Sequence, residues 1–394
     1  MRSLDEHGDV DVLSPEALSA LQLHTIGRPL LPNVITLDLW SVHGPFVPFI
    51  PLFLSPRVTS ISIDFGPDIS AAMFASVVTA VPTLCPNLQV INLCCLPRDP
   101  MITAAVSGMA LVTNRNTLQE FHVDSPLTDE GSKVVYKLPN LFNLSVVIER
   151  ETSLPSVSLP NLTGITITCG NEDDWPRLFH GATFGKLKSV QFLLQSEEIG
   201  DFLGAFERAA FSSSIQTTLL ELHIFTIHSW NPNCSSLLSF TQLVDLDIEF
   251  SCNGECSSSV DDDIVISLSQ AMPKLTVLRL GYNPCREPTT GVTTKGLVAL
   301  ALHCPKLSIL RVHFQVASLS APHATEPTGL RTDCALKELV VGEMPVSEES
   351  ALVVALTLLW IFPRIERIDF TDKGWEKVED AIHLSKRTVD FSGK

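Results

Sequence analysis

A chain of 394 residues exceeds the usual span of one globular domain, so it either divides into two or three domains or grows along one axis as a repeat array. With 45% hydrophobic and 18% charged residues it has ample apolar material for a continuous core, which excludes a disordered chain. The net charge of -17 repels polyanions, so nucleic acid and anionic lipid are excluded as partners and a neutral or basic protein is favoured.

The first thirty residues place acidic groups where a secretory signal needs a basic patch and an apolar run, so an intracellular protein, cytoplasmic or nuclear, is expected. Within them, Leu18, Leu21 and Leu23 of LSPEALSALQL (residues 13–23) fall on the spacing of a strand, and residues 1–30 are read as a tail or a degenerate first repeat. From Val34 a six-residue pattern recurs, with leucine or a relative at its first, fourth and sixth positions. It appears as VITLDL at Val34, VTSISI at Val58, LQVINL at Leu88, LQEFHV at Leu118, LFNLSV at Leu141, LTGITI at Leu162 and LKSVQF at Leu187. It continues as LLELHI at Leu219, LVDLDI at Leu243, LTVLRL at Leu275, LSILRV at Leu307, LKELVV at Leu336 and IERIDF at Ile365.

These thirteen units start 21 to 32 residues apart, the period of one strand with one returning helix or loop. CPNL, LPNL, LPNL, MPKL, CPKL and FPRI lead into six of them, with proline stopping the preceding helix. VDDDIVISLSQAM after Ser259 and SEESALVVALTLLWIF from Ser347 read as helices with acidic first turns. Residues 149–161 are too rich in proline and serine for a full helix. The apolar run Ala351 to Phe362 is too short for a bilayer of about 30 Å and reads as a buried helix. GWEKVEDAIHL (residues 374–384) sets Trp375, Val378, Ala381 and Ile382 on one face, as a helix covering the end of the array would. The fold expected is α/β: a right-handed leucine-rich-repeat solenoid over residues 31–372, with a curved parallel sheet on its concave side and helices and loops on its convex side, then a capping helix and tail over 373–394.

VTTKGLVALALHCPKLSILRV (residues 292–312) is similar to the cysteine-containing leucine-rich repeat that accompanies F-box domains, with its threonine-rich helix start, Gly-Leu, and cysteine before the strand. LTDEGSKVVYKLPNLFNLSV (residues 127–146) is a second copy. Over residues 31 to 394 the chain resembles the leucine-rich part of fungal F-box proteins, the substrate receptors of cullin-based ubiquitin ligases. That resemblance implies a protein substrate and, through a docking element, a Skp1-type adaptor. The F-box itself, a helical module of about 40 to 50 residues, is expected to be either absent or outside this chain, because only residues 13–23 resemble its opening.

No phosphate-binding glycine loop, nucleophile elbow or zinc helix occurs; GVTTKG (residues 291–296) lacks the final Lys-Ser/Thr. Neither an enzyme nor a cofactor is expected. The ten cysteines lack a disulfide-framework spacing. Cys252 and Cys256 of CNGEC, with Cys234 or Cys285, do not make the two tight pairs of a structural zinc site, so no metal is expected. Cys85 and Cys304, each before a proline, read as core or turn packing.

What remains is the strand face, where third, fifth and seventh positions of each unit point away from the core. They supply Asp38, Trp40, Asp64, Glu120, His122 and Asp124, then Glu221, His223, Phe225, Asp245, Asp247 and Glu249, then Arg279, Arg311 and His313. Asp245, Asp247 and Glu249 on one strand would repel one another if left unneutralised, at a modest cost under screening by solvent and salt, and a basic peptide or loop would relieve that. Trp40 and Phe225 are the aromatic anchors. The function expected is a protein-binding module of ligase-receptor type, or a free-standing scaffold or inhibitor of the same fold.

Overall fold

The computed structural model describes residues 3–5, 14–25, 28–96, 99–113, 116–148, 158–170, 179, 182–195, 202–226, 234–250, 260–281, 291–319, 333–342, 344–370 and 372–392. The chain divides into two compact units, Met1–Leu187 and Lys188–Lys394.

The first unit holds strands β1 (Ser3–Asp5), β2 (Thr36–Val42), β3 (Ser60–Phe65), β4 (Val90–Cys94), β5 (Glu120–Pro126), β6 (Asn143–Ile148) and β7 (Gly164–Cys169). Each pairs in parallel with the next in chain order. Parallel neighbours require a returning crossover of a dozen or more residues, which the repeat period supplies. The crossovers include helices α1 (Pro15–Thr25), α2 (Ala71–Leu84), α3 (Pro100–Val112) and α4 (Asp129–Val135), and a 3-10 helix at Gly44–Leu52.

The second unit holds β8 (Ser189–Leu194), β9 (Glu221–Thr226), β10 (Asp245–Phe250), β11 (Val277–Leu280), β12 (Ile309–Val312), β13 (Glu338–Gly342) and β14 (Arg367–Phe370), again parallel and in order. Its helices are α5 (Phe202–Ser212), α6 (Asp262–Ala271), α7 (Thr294–His303), α8 (Ala351–Ile361) and α9 (Gly374–Ser392). Every one of the thirteen units read from sequence carries a strand that begins two residues after its first apolar position.

Register explains the core. Equivalent apolar positions stack strand upon strand, Leu37, Ile61, Ile91, Phe121, Leu144 and Ile165 in the first unit, and Val190, Leu222, Leu246, Leu278, Leu310, Leu339 and Ile368 in the second. All are buried, and each contributes about 1.5–3 kcal/mol by leaving water. Helices cover this face: Phe74 of α2 meets Phe65 edge-on at 5.2 Å, and Phe192 of β8 meets Phe202 and Phe206 of α5 at 4.9 and 5.3 Å.

The lead-in asparagines add a bond between successive repeats. Asn87, Asn140 and Asn161 donate from Nδ2 to the carbonyls of Pro56, Asn116 and Pro139 at 3.2, 2.7 and 2.8 Å. In the second unit cysteine takes over: the buried Cys304 thiol points at the carbonyls of Ser269 and Met272, both at 3.6 Å, and Cys334 at that of Cys304 at 3.7 Å. Cys85 and Cys304 are core residues, as their positions before proline imply.

The two threonine-glycine repeats share one packing device. Thr128 caps α4 by accepting from Gly131 N at 3.2 Å, and Thr293 caps α7 by accepting from Lys295 N at 3.2 Å. A Cβ at Gly131 would stand 2.8 Å from Ser107 Cβ, and one at Gly296 would stand 2.6 Å from both Asp262 Oδ1 and Val292 Cγ1. Only glycine lets each helix start press against the preceding helix. Asp262 then accepts from Thr293 N, Thr293 Oγ1 and Gly296 N at 2.8, 2.6 and 3.0 Å.

Three expectations are corrected. Residues 15–25 form a helix, so Leu18, Leu21 and Leu23 are not a strand: Leu18 is buried while Leu21 and Leu23 face solvent, and the strand of this stretch is β1 upstream. The run from Ser347 becomes helical only at Ala351, because Ser347 and Ser350 bond each other in a turn, which leaves Glu348 and Glu349 outside the first turn. That helix is not wholly buried either, since Leu352, Val353 and Leu356 point outward. Residues 149–157 lie outside the described residues. Of the face expected on helix α9, Trp375, Val378 and Ile382 are buried and Ala381 is half-buried, and Trp375 Nε1 donates to the Met344 carbonyl at 2.7 Å. Among the described residues no helix is long and apolar enough to cross a membrane.

Candidate binding faces on the strands

Because strand side chains alternate, the face opposite the helices receives the positions between the buried ones. All fifteen side chains chosen from sequence lie there. In the first unit Asp38, Asp64, Glu120, His122 and Asp124 are half-buried and Trp40 is 46% exposed. In the second, Glu221 is exposed, His223, Phe225, Asp245, Glu249, Arg279, Arg311 and His313 are half-buried, and Asp247 is buried at 5%.

The acidic stripe on β10 is not left to a partner, which corrects the sequence expectation. Asp247 sits directly opposite Arg279 on β11, and Arg279 Nη1 donates to Asp247 Oδ2 at 3.1 Å. Arg311, opposite Arg279 on β12, reaches past it to donate to Glu249 Oε1 at 3.1 Å. The two guanidiniums would repel one another, and the two carboxylates hold them apart in charge as well as in space. Glu221 and Asp245 remain, also directly opposed, with His223 Nε2 3.9 Å from Asp245 Oδ1. Burial raises the Asp245 carboxyl above its ordinary value, against the pull of His223 and Arg279, and burial raises Glu249 as well.

The first unit differs in kind. Strands β2 to β7 contain no lysine or arginine, yet present Asp38, Asp64, Glu120 and Asp124. Between Leu39, paired with Ile63, and Val42, paired with Phe65, the two residues Trp40 and Ser41 oppose only Asp64. This bulge, with Ser41 at a φ of 51°, falls directly after Trp40, which alternation already turns outward, and Ser41 is the added residue that returns Val42 to the core. Asp38 Oδ1 and Asp64 Oδ1 are buried and have no hydrogen-bond partner, as is true of Asp245 Oδ1 and Asp247 Oδ1 in the second unit; the difference is that Asp247 has Arg279 at its other oxygen.

Asp124 is held differently: its carboxylate accepts from Cys95 N, and from Leu96 N at 3.0 Å, securing the turn after β4 in which Cys95 has a φ of 59°. Burial still raises its carboxyl, helped by the charge of Asp64. His122 is pushed down by burial, as is His313. Sequence reasoning missed Asn92, Cys94 and Cys95 beside these acids, although Cys94 occupies the seventh position of its unit and was legible there. Asn92 Nδ2 donates to Ser62 Oγ at 3.2 Å, and the Cys94 thiol points at Asn92 Oδ1 at 3.1 Å. Burial carries the Cys94 thiol to about 11; a bond to Asp64 does the same for Cys95.

Cys252, Cys256 and Cys285 lie outside the described residues. Cys234 is buried and its thiol is pushed up to about 12 by that burial. Among the described residues no group of three or more His, Cys, Asp or Glu side chains could hold a metal ion. Comparison with protein-family models and with curated proteins finds no match to this chain, so its own residues carry the functional reading.

Proposed function

We propose that this chain is a leucine-rich-repeat protein-binding module that holds a protein partner on its open strand faces and performs no chemistry of its own. One observation carries the reading: successive parallel strands bury one set of alternate side chains completely while presenting charged, polar and aromatic groups from the other. Such rows suit recognition of an extended surface, because each strand contributes separate side chains at about 4.8 Å intervals. The resemblance to F-box receptors supports a finer reading, a substrate-recognition part of a ubiquitin ligase. Helix α1, which directs Leu21 and Leu23 outward, is the candidate adaptor contact.

A stand-alone scaffold is the second reading, favoured by the parallel pairing of β1 with β2, which makes the N-terminal stretch part of the repeat sheet. Affinity capture of the tagged chain, followed by mass spectrometry, separates the two. Recovery of a Skp1-type adaptor and cullin, lost with Leu21→Ser and Leu23→Ser, supports the ligase reading. Retention of other proteins without either, sensitive to strand-face substitutions, supports the scaffold. Retention that no strand-face substitution alters overturns the protein-binding role assigned to these faces.

A further inference from the structure

The two units solve the electrostatics of their strand faces in opposite ways. In the second, Asp247 and Glu249 have their counter-ions built in. In the first, β2 to β7 carry four carboxylates and no lysine or arginine; Asp38 and Asp64 each bury an oxygen without a hydrogen-bond donor, as Asp245 and Asp247 do in the second unit, but no strand from β2 to β7 brings an arginine to them, and Trp40, 46% exposed, stands in the bulge opposite Asp64. A buried carboxylate oxygen without a donor forfeits hydration that nothing in the strand face replaces. An exposed indole next to uncompensated negative charge is a surface complementary to a planar cation.

We propose that the open strand face of the first unit binds an arginine-bearing segment of a protein partner, with the guanidinium stacked on Trp40 and its charge met by Asp38 and Asp64. This rests on the protein-binding reading and gives the partner its chemistry. Arginine is preferred to lysine because its flat, weakly hydrated guanidinium stacks on an indole while its N–H groups stay free to donate at the edge. The register supports this convergence: Asp38 pairs with Ser62 on β3, Asp64 follows two residues later, and Trp40 lies in the bulge that spans that step.

The test uses the full chain with 15N-labelled tryptophan side chains, titrated with a capped Gly-Arg-Gly-Arg-Gly peptide, its lysine analogue and its glutamate analogue. The indole signal that disappears in Trp40→Phe is expected to shift with the arginine peptide, less with lysine, and not with glutamate. Trp40→Ala is expected to weaken binding about three- to fivefold, with Trp40→Phe intermediate. Asp38→Asn with Asp64→Asn weakens it about tenfold at low salt, whereas Asp263→Asn, at an exposed helix carboxylate of the second unit, leaves it within about twofold. A Trp40 signal that stays still, or equal loss from Asp263→Asn and from the Asp38 and Asp64 variants, overturns the proposal, since the latter is the mark of diffuse attraction to an acidic protein. The variant spectra themselves report folding, and Trp40→Phe keeps the test alive if Trp40→Ala unfolds. If the peptides fail while strand-face variants still alter capture of a partner protein, this inference falls and the broader reading stands.

Discussion

Replacing Asp247 by asparagine removes the charge that holds Arg279 while leaving the shape of the site nearly unchanged. The Asp247 side chain is 6% exposed, its Oδ2 accepts from Arg279 Nη1 at 3.1 Å, and Arg311 lies directly opposite Arg279 on the other side. Breaking a fully buried ion pair costs about 3–5 kcal/mol. Arg279 is 27% exposed, so solvent compensates part of that loss, and about 1–2 kcal/mol is expected. Urea unfolding followed by circular dichroism measures it, and a cycle with Arg279→Gln isolates the coupling. In the double variant the loss shrinks, because the asparagine no longer leaves an uncompensated guanidinium beside Arg311. A coupling energy below about 0.3 kcal/mol would refute the claim that β10 is neutralised from within and would return Asp247 to the role of an open acidic contact. For the same reason, charge reversal at Asp247 damages folding and cannot serve as a clean probe of binding, whereas the exposed Glu221 can.

Gly296→Ala is expected to cost about 1–3 kcal/mol in the same unfolding assay, since its Cβ would meet Asp262 Oδ1 and Val292 Cγ1 at 2.6 Å; Gly131→Ala follows the same logic against Ser107. Folded-state values of Asp245 and Glu249 lie above their ordinary 3.8 and 4.5, so the folded chain binds protons more readily than the unfolded one just above those values. Their contribution therefore falls as pH rises through that window, and Asp245→Asn is expected to flatten this part of the stability-against-pH curve measured by thermal unfolding. Cys95 is exposed yet its thiol is raised to about 11, so alkylation by iodoacetamide at pH 7.5 should be slow and Asp64→Asn should accelerate it; rapid modification of the unaltered chain would refute the Asp64 contact.

The repeat period, the thirteen strand positions and the side of each strand that meets the core were legible in the sequence, because an apolar residue at a fixed place in each unit has one way to be buried when strands stack in register. The same periodicity placed the fifteen chosen side chains on the outward strand positions but passed over Asn92 and Cys94 of β4. It did not distinguish helix from strand at Leu18, Leu21 and Leu23, where a short apolar pattern fits both and packing chose the helix. Nor did it show that Arg311 passes over one strand to reach Glu249, 62 residues away, or that a bulge sets both Trp40 and Ser41 opposite Asp64 in the register. Those are matters of side-chain reach and backbone irregularity across neighbouring strands. Local pattern decided which residues face outward; only the tertiary packing decided that the carboxylates of β10 find arginines on neighbouring strands while strands β2 to β7 have none to offer Asp38 and Asp64.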